Sequence, residues 1–141
     1  MTLIVDSGGL LAAIDSNQNN HADFRAAVEN AQRPLLISPF VVTELDYMIS
    51  RYYGREDQLA FLSEVDRGAY RLEPFAQEDF SRAHELISEY RHLTGFGIAD
   101  ASNVVLAERY DVFDILTTDQ RDFRHVAGFG DRHFRILPYD L

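Results

Sequence analysis

The sequence predicts an α/β fold in which helices cover both faces of a central, mostly parallel β-sheet. Short apolar runs of strand length alternate along the chain with longer segments that have helical periodicity. Runs that are apolar throughout are typical of parallel strands, because both of their faces are buried. The 141 residues, 46% of them hydrophobic, supply enough material for one such core, so we expect a single domain over residues 1–141.

The first half of the chain is predicted to hold two strands and four helices. The apolar run 3–5 predicts a buried strand that ends at Asp6, and the leucines that follow have helical spacing. Ser38 followed by Pro39 is typical of a helix start, because the hydroxyl caps the first turn and proline suits the first helical position. The other predicted elements are helices over 21–31, 39–53 and 55–65 and a strand over 35–37.

The second half continues the same alternation. We expect the longest helix over residues 77–93, followed by a turn at 94–97 that contains two glycines. Helical periodicity returns over 99–110, and strand 115–118 ends at Asp119. The remaining predicted elements are a short strand over 69–72 and a final strand over 134–137.

The composition excludes several classes of site. The chain has no cysteine, which excludes disulfides, thiolate metal sites and cysteine nucleophiles. All 13 basic residues are arginine, so a Walker lysine, a Schiff-base lysine and the lysine of a receiver domain are absent. The formal charge of −10 argues against nonspecific nucleic-acid binding, but a metal-dependent nuclease requires a patch of carboxylates.

The most apolar N-terminal segment, residues 3–14, is too short to span a bilayer and lacks the basic flank of a signal peptide. We therefore expect the protein in the cytoplasm.

Four acidic residues stand where different elements should meet. Asp6 and Asp119 each follow a predicted strand, so both should emerge at one edge of a parallel sheet. Asp100 begins a helix, where the helix dipole favours an anion. Glu44 lies within a helix at the border of its buried face, where a lone carboxylate is unfavourable. Considered singly, each aspartate has another explanation, because aspartate is common as a helix N-cap. Glu44 considered singly is also explained as a solvated residue on the exposed face of its helix.

Taken together, the four acids indicate a metal site. They lie far apart in sequence, so only the fold can bring them together. Carboxylates that converge without a basic side chain between them repel one another, and a divalent cation such as Mg²⁺ is the usual compensation.

Four short motifs that contain these acids resemble those of a known family. Val5-Asp6-Ser7, Pro39-x-x-x-x-Glu44-Leu45, Ile98-Ala99-Asp100-Ala101 and Leu116-Thr117-x-Asp119-x-x-Asp122-Phe123 follow one another along nearly the whole chain. This pattern resembles the PIN-domain ribonucleases, and among them the VapC toxins. The resemblance implies a three-layer α/β/α sandwich and metal-dependent endonucleolytic cleavage of RNA by the four acids around Mg²⁺ or Mn²⁺.

The resemblance also implies individual roles. Asp6 and Asp100 would bind the metal directly, Asp119 would hold it directly or through water, and Glu44 would orient or deprotonate the attacking water. Ser7, Thr117 and Asp122 are candidates to hydrogen-bond around these carboxylates, with ordinary turn and capping roles as the alternative. Where relatives often carry a second small hydroxyl after the first Asp-Ser pair, this chain has Gly8-Gly9.

Contact with the RNA is expected from basic residues beyond Asp119. Arginine suits bidentate contact with phosphate. The alternative is that these side chains only offset nearby acids on a solvated surface. The candidates are Arg121, Arg124, Arg132 and Arg135, with His125 and His133 beside them.

The large side chains of helices 39–53 and 55–65 raise the question of partners. Packing within the monomer explains most of them, whereas an exposed remainder would mark an interface. The resemblance implies a groove for a cognate VapB-type antitoxin, a homodimer and a toxin–antitoxin hetero-oligomer, with tRNA or rRNA as the target. Two other functions stay open: a PIN nuclease of RNA processing, and a noncatalytic metal-binding or protein-interaction module.

Overall fold

The computed structural model describes residues 2–141. The strands are β1 (Thr2–Val5), β2 (Gln32–Ile37), β3 (Arg71–Leu72), β4 (Asp114–Leu116), β5 (Ala127–Gly128), β6 (Arg132–His133) and β7 (Arg135–Leu137). The helices are α1 (Ser7–Ile14), α2 (His21–Asn30), α3 (Pro39–Tyr52), α4 (Arg55–Asp66), α5 (Gln77–Glu89), α6 (Ile98–Tyr110) and α7 (Gln120–Phe123). No helix within these residues has the length and apolar character needed to cross a membrane.

Five parallel strands form the central sheet in the order β3-β2-β1-β4-β7. Because neighbouring strands are parallel, their carboxyl ends meet at one edge. In register, Val5 of β1 lies opposite Leu116 of β4, so the residues that follow these two strands emerge side by side. β5 and β6 form a separate antiparallel pair.

Side-chain alternation along the strands divides the core into two parts. Leu3 and Val5 of β1 face the apolar residues of α1, α2, α3 and α4. Ile4, between them, faces the apolar residues of α5 and α6. Successive side chains of a strand point to opposite faces, so a sheet covered on both sides needs strands that are apolar at every position. The predicted three-layer α/β/α architecture with a mostly parallel sheet is confirmed.

The start of α3 is confirmed in detail. The Ser38 hydroxyl accepts a hydrogen bond from the Phe40 N–H at 3.1 Å, and Pro39 occupies the first helical position. The Ser38 hydroxyl also lies 2.6 Å from the Ser102 hydroxyl of α6. This buried contact joins the N-terminal ends of two helices that carry candidate site residues.

The prediction that residues 77–93 form the longest helix is wrong. α5 ends at Glu89 after 13 residues, and α3 is longer at 14. Tyr90 leaves helical geometry, with its ring against Phe96 and its hydroxyl accepting a hydrogen bond from the Ala127 N–H. The Arg91 side chain donates to the Ser88 carbonyl, which satisfies an acceptor at the helix end.

Candidate active site at the carboxyl edge of the sheet

Asp6 stands at the centre of the candidate site, directly after β1. It is only 6% exposed, and its N–H donates to the Leu116 carbonyl at 2.9 Å. Both of its carboxylate oxygens accept hydrogen bonds, Oδ1 from Asn103 Nδ2 at 3.1 Å and Oδ2 from Thr117 Oγ1 at 2.7 Å. Asp6 occupies the N-cap position of α1 but makes no side-chain capping bond. Capping therefore does not account for its carboxylate.

Asp100 and Asp119 each combine a turn contact with an available oxygen. Asp100 lies in the first turn of α6, where its Oδ2 accepts the Gly97 N–H at 3.1 Å. Asp119 follows β4, and its Oδ1 accepts the Asp122 N–H at 3.0 Å. These bonds match the capping alternative. Within residues 2–141, however, no hydrogen bond engages Oδ1 of Asp100 or Oδ2 of Asp119.

Glu44 reaches the site from α3 by way of Ser7. Its Oε1 accepts a hydrogen bond from Ser7 Oγ at 3.0 Å, and Ser7 immediately follows Asp6. The sequence placed Glu44 at the border of the buried face, whereas the structure places it on the exposed side of the helix. Its carboxylate is thus solvated, unlike that of Asp6, and accepts a hydrogen bond from Ser7.

The carboxylates interact electrostatically. Burial raises the pKa of Asp6 to about 6, and the charge of Glu44 adds to this, while hydrogen bonds from Thr117, the Ser7 backbone and Asn103 oppose it. Burial also raises the pKa of Asp100 to about 7, with further contributions from the charges of Asp6, Asp119 and Glu44. Since all three of these acids act on Asp100, the fold brings the four predicted acids into one cluster.

The donor set of the cluster fits a hard divalent cation. Carboxylate oxygens are the ligands that Mg²⁺ and Mn²⁺ prefer. In the part of the chain that the structure describes, no arginine or histidine forms an ion pair with any of the four acids. No group of three or more His, Cys, Asp or Glu side chains among residues 2–141 is arranged to hold a metal as it stands. The fit is therefore one of donor chemistry and charge.

The three supporting residues lie next to the acids. Thr117 donates to Asp6 and accepts from the Asp119 N–H at 2.9 Å, so one hydroxyl connects the two aspartates. Ser7 connects to Glu44. Asp122 is buried beside Asp119, and burial followed by the charge of Asp119 raises its pKa. All three candidate supporting residues are thus brought to the cluster.

The candidate RNA-binding arginines do not converge. Arg124 pairs with Asp140 at 2.7 Å, and Arg132 pairs with Asp111. Arg135 lies opposite Asp114 at the start of β7 and β4, the edge of the sheet remote from Asp119. For these three, the alternative of offsetting nearby acids describes the structure better. Arg121 is exposed, adjoins Asp122 and forms no ion pair within residues 2–141.

Two features of the site were missed in the sequence. Asn103 lies one helical turn after Asp100, a spacing that places both on one face of α6 and was the available signal. Thr118 fills the space next to Gly8, because a Cβ on Gly8 would overlap the Thr118 hydroxyl. Gly9 likewise allows close approach to the Leu116 backbone. The two glycines thus let α1 approach the segment that carries Asp119.

Comparison with known proteins identifies the relatives of the chain. The model of the PIN domain family matches residues 3–129. Ribonuclease VapC26 of Mycobacterium tuberculosis is 35% identical over 136 residues, which cover 96% of this chain and all of the relative.

Solved structures share the fold at low sequence identity. VapC20 of Mycobacterium tuberculosis, described as a sarcin-ricin loop cleaving toxin, has a TM-score of 0.74 and 16% identity, covering 85% of this chain and 92% of its own. VapBC2 of Rickettsia felis, bound to a DNA fragment from its promoter, has a TM-score of 0.67 and 16% identity, with 96% and 98% covered. FitAcB of Neisseria gonorrhoeae has a TM-score of 0.59 and 13% identity, with 81% and 85% covered.

Proposed function

Because the chain belongs to the PIN domain family and is akin to the VapC ribonucleases, we propose that it is an endoribonuclease and the toxin of a toxin–antitoxin pair. The proposal rests on the environment of the Asp6 carboxylate. Asp6 has a buried carboxylate held by two neutral donors, and it interacts with the charges of Glu44 and Asp100. None of the four acids is paired with a basic side chain among residues 2–141. A set of like charges at the ligand-binding edge of a parallel sheet favours a cation and, through it, a phosphate.

The cofactor we propose is Mg²⁺ or Mn²⁺, held by Asp6, Asp100 and Asp119. When bound, such a metal lowers the pKa of coordinated water and stabilises negative charge on a phosphate. Asp6 contributes a carboxylate whose orientation is already fixed by Asn103 and Thr117. We propose that Glu44, which is exposed and hydrogen-bonded to Ser7, orients the attacking water or accepts its proton.

The proposed substrate is a structured RNA, either a tRNA or an rRNA, cut in the cytoplasm so that translation and growth stop. Arg121 is the side chain that we propose contacts a phosphate near the acids, because it is exposed, adjoins Asp122 and forms no ion pair within residues 2–141. Arg124, Arg132 and Arg135 are engaged by carboxylates and are left out of this role.

The proposed partner is a VapB-type antitoxin, seated in a cleft of about 310 Å³ between α1, α3 and α4. Apolar residues such as Leu11 and Ile49 line the cleft, while Asp15, Asp57 and Glu64 give it an acidic rim. These features suit an amphipathic segment with basic residues. For the homodimer and the hetero-oligomer we propose a second surface, formed by Leu72 and the edge-to-face rings of Phe40, Phe75 and Phe80.

We also propose that residues 1–141 form one PIN domain, since β7 lies beyond the matched residues 3–129 yet pairs with β4 in the same sheet. A PIN nuclease of RNA processing uses the same site chemistry, and a noncatalytic module uses the same pocket without turnover. Cleavage of RNA would distinguish either nuclease from the noncatalytic module. Growth arrest that a co-expressed antitoxin relieves would distinguish the toxin from the RNA-processing nuclease.

The experiment is brief induction of the wild-type chain and of Asp6→Ala in bacterial cells, followed by sequencing of RNA 5′ ends. Asp66→Ala, which removes an exposed acid of α4, is the control. We expect the same defined cut and growth arrest with wild type and Asp66→Ala, and neither with Asp6→Ala. Identical 5′ ends in all three cultures would exclude the toxin function.

A further inference from the structure

Asn103 is buried in α6 and contacts the most buried acid of the site. Its side chain is inaccessible to solvent, and its Nδ2 donates to Asp6 Oδ1 at 3.1 Å. Its other polar atom, Oδ1, is buried and has no hydrogen-bond partner within residues 2–141. The amide therefore satisfies Asp6 but is not itself fully satisfied.

This arrangement does not benefit the core. A buried carbonyl oxygen without a hydrogen-bond partner lowers stability, so Asn103 Oδ1 is a cost to the folded protein. Turning the amide over would bring its oxygen against the Asp6 carboxylate, so the orientation with Nδ2 toward Asp6 is the one that gives a hydrogen bond to an ionised Asp6. What the asparagine supplies at this position is a single neutral donor aimed at Asp6.

The donor also comes from a rigid part of the structure. The preceding residue, Ser102, bonds to the Ala99 carbonyl and lies 2.6 Å from Ser38 Oγ at the start of α3. On the opposite side of the carboxylate, Thr117 follows β4 directly and donates to Asp6 Oδ2 at 2.7 Å. Two donors on separate, fixed elements thus determine the plane of the Asp6 carboxyl group.

We propose that Asn103 is a positioning residue that, opposite Thr117, fixes the Asp6 carboxylate in the orientation that binds the metal ion. The inference rests on the proposed function and assigns a role to a residue outside the acidic set. Hydrogen bonds to a ligating carboxylate orient it, and their loss typically lowers metal affinity about 10- to 100-fold.

The test is calorimetric titration of purified protein with Mn²⁺, without RNA. Asn103→Leu keeps the side-chain size but removes the donor, and we expect a Kd about 10- to 100-fold higher than that of wild type. The matched control is Gln58→Leu, which likewise replaces a buried amide donor by leucine but lies in α4, where Gln58 Nε2 donates to Asp46 rather than to Asp6. It should lower the melting temperature and leave the Mn²⁺ Kd unchanged. Asn103→Ala carries the same expectation if the leucine variant does not fold.

Thr117→Val removes the opposite donor at nearly the same side-chain volume and without adding charge, so it tests the same role from the other side of the carboxylate. Positioning by two donors predicts a higher Mn²⁺ Kd for this variant as well. Wild-type affinity in Thr117→Val would overturn the inference. Wild-type affinity in Asn103→Leu would overturn the inference while leaving the proposed function intact, because wild type would still bind Mn²⁺ and cleave RNA. A wild-type protein that neither binds Mn²⁺ nor cleaves RNA would overturn both.

Discussion

Replacement of Asp6 by asparagine should stabilise the metal-free protein while abolishing its activity. Asp6 is buried, and its pKa is raised from 3.8 to about 6, because burial and the charge of Glu44 disfavour the ionised form. The isosteric Asp6→Asn removes that charge. The Thr117 hydroxyl, which now donates to Asp6, is able to accept a hydrogen bond from the new amide.

The magnitude follows from the two pKa values. For an acid whose pKa is higher in the folded state, the free energy of unfolding falls as the pH rises from the unfolded pKa to the folded one, and is constant above it. The Asp6 pKa of about 6 gives a penalty of about 3 kcal/mol at pH 7.5 and about half of that at pH 5. Allowing for imperfect hydrogen bonding of the amide, we expect Asp6→Asn to gain about 1–3 kcal/mol at pH 7.5.

The assay is urea unfolding followed by circular dichroism, in EDTA, at pH 5 and pH 7.5. Asp66→Asn removes the same charge from an exposed site on α4 and should follow the wild type at both pH values. A free energy of unfolding of Asp6→Asn no higher than that of wild type at pH 7.5 would contradict a raised Asp6 pKa. So would a difference between the two proteins that is as large at pH 5 as at pH 7.5.

Three further predictions concern other parts of the structure. Gly9→Ala should lower the free energy of unfolding, measured by thermal unfolding, by about 3 kcal/mol, because the new Cβ overlaps the Leu116 backbone. Gly97→Ala should lower it far less, because the space around Gly97 is open. Ser38→Ala should lower the free energy of unfolding by about 1–2 kcal/mol, because it removes the cap of α3 and the contact with Ser102. Ser50→Ala removes an exposed hydroxyl of the same helix and should stay within about 0.5 kcal/mol of wild type. Arg121→Ala should raise the KM for RNA and reduce the salt dependence of binding by about one phosphate contact. Arg132→Ala, which removes an arginine paired with Asp111, should change neither quantity. Equal effects of the two substitutions would show that Arg121 has no special contact with phosphate.

The parts of the fold that the sequence predicted are those determined by local chemistry. β1 and β2 are apolar over consecutive positions because both faces are covered, and α3 begins where a capping serine precedes a proline. The end of α5 depends instead on Tyr90, whose hydroxyl bonds to a residue 37 positions away. The two-residue strands β5 and β6 are too short to show any periodicity, so the sequence does not predict them.

The site divides in the same way. Placement of Asp6 and Asp119 at one edge follows from where their strands end and from the parallel pairing of β1 with β4. The ion pairs of Arg124 and Arg132 join residues 16 and 21 positions apart, so no local sequence pattern predicts them. The contact between Asn103 and Asp6 spans 97 positions and depends on how α6 crosses the sheet. Local sequence patterns therefore predict where the acids lie, but the residues that contact them are known only from the folded structure.

The central claim, that the four acids cleave RNA with a divalent metal, is tested most directly by incubating the purified protein with a mixture of tRNA and rRNA. The reaction is run in EDTA and then with increasing Mn²⁺, for wild type, Asp100→Asn and the control Asp66→Asn. We predict defined fragments that require Mn²⁺, appear equally with wild type and Asp66→Asn, and are absent with Asp100→Asn. Fragments that form in EDTA, or that persist with Asp100→Asn, would contradict it.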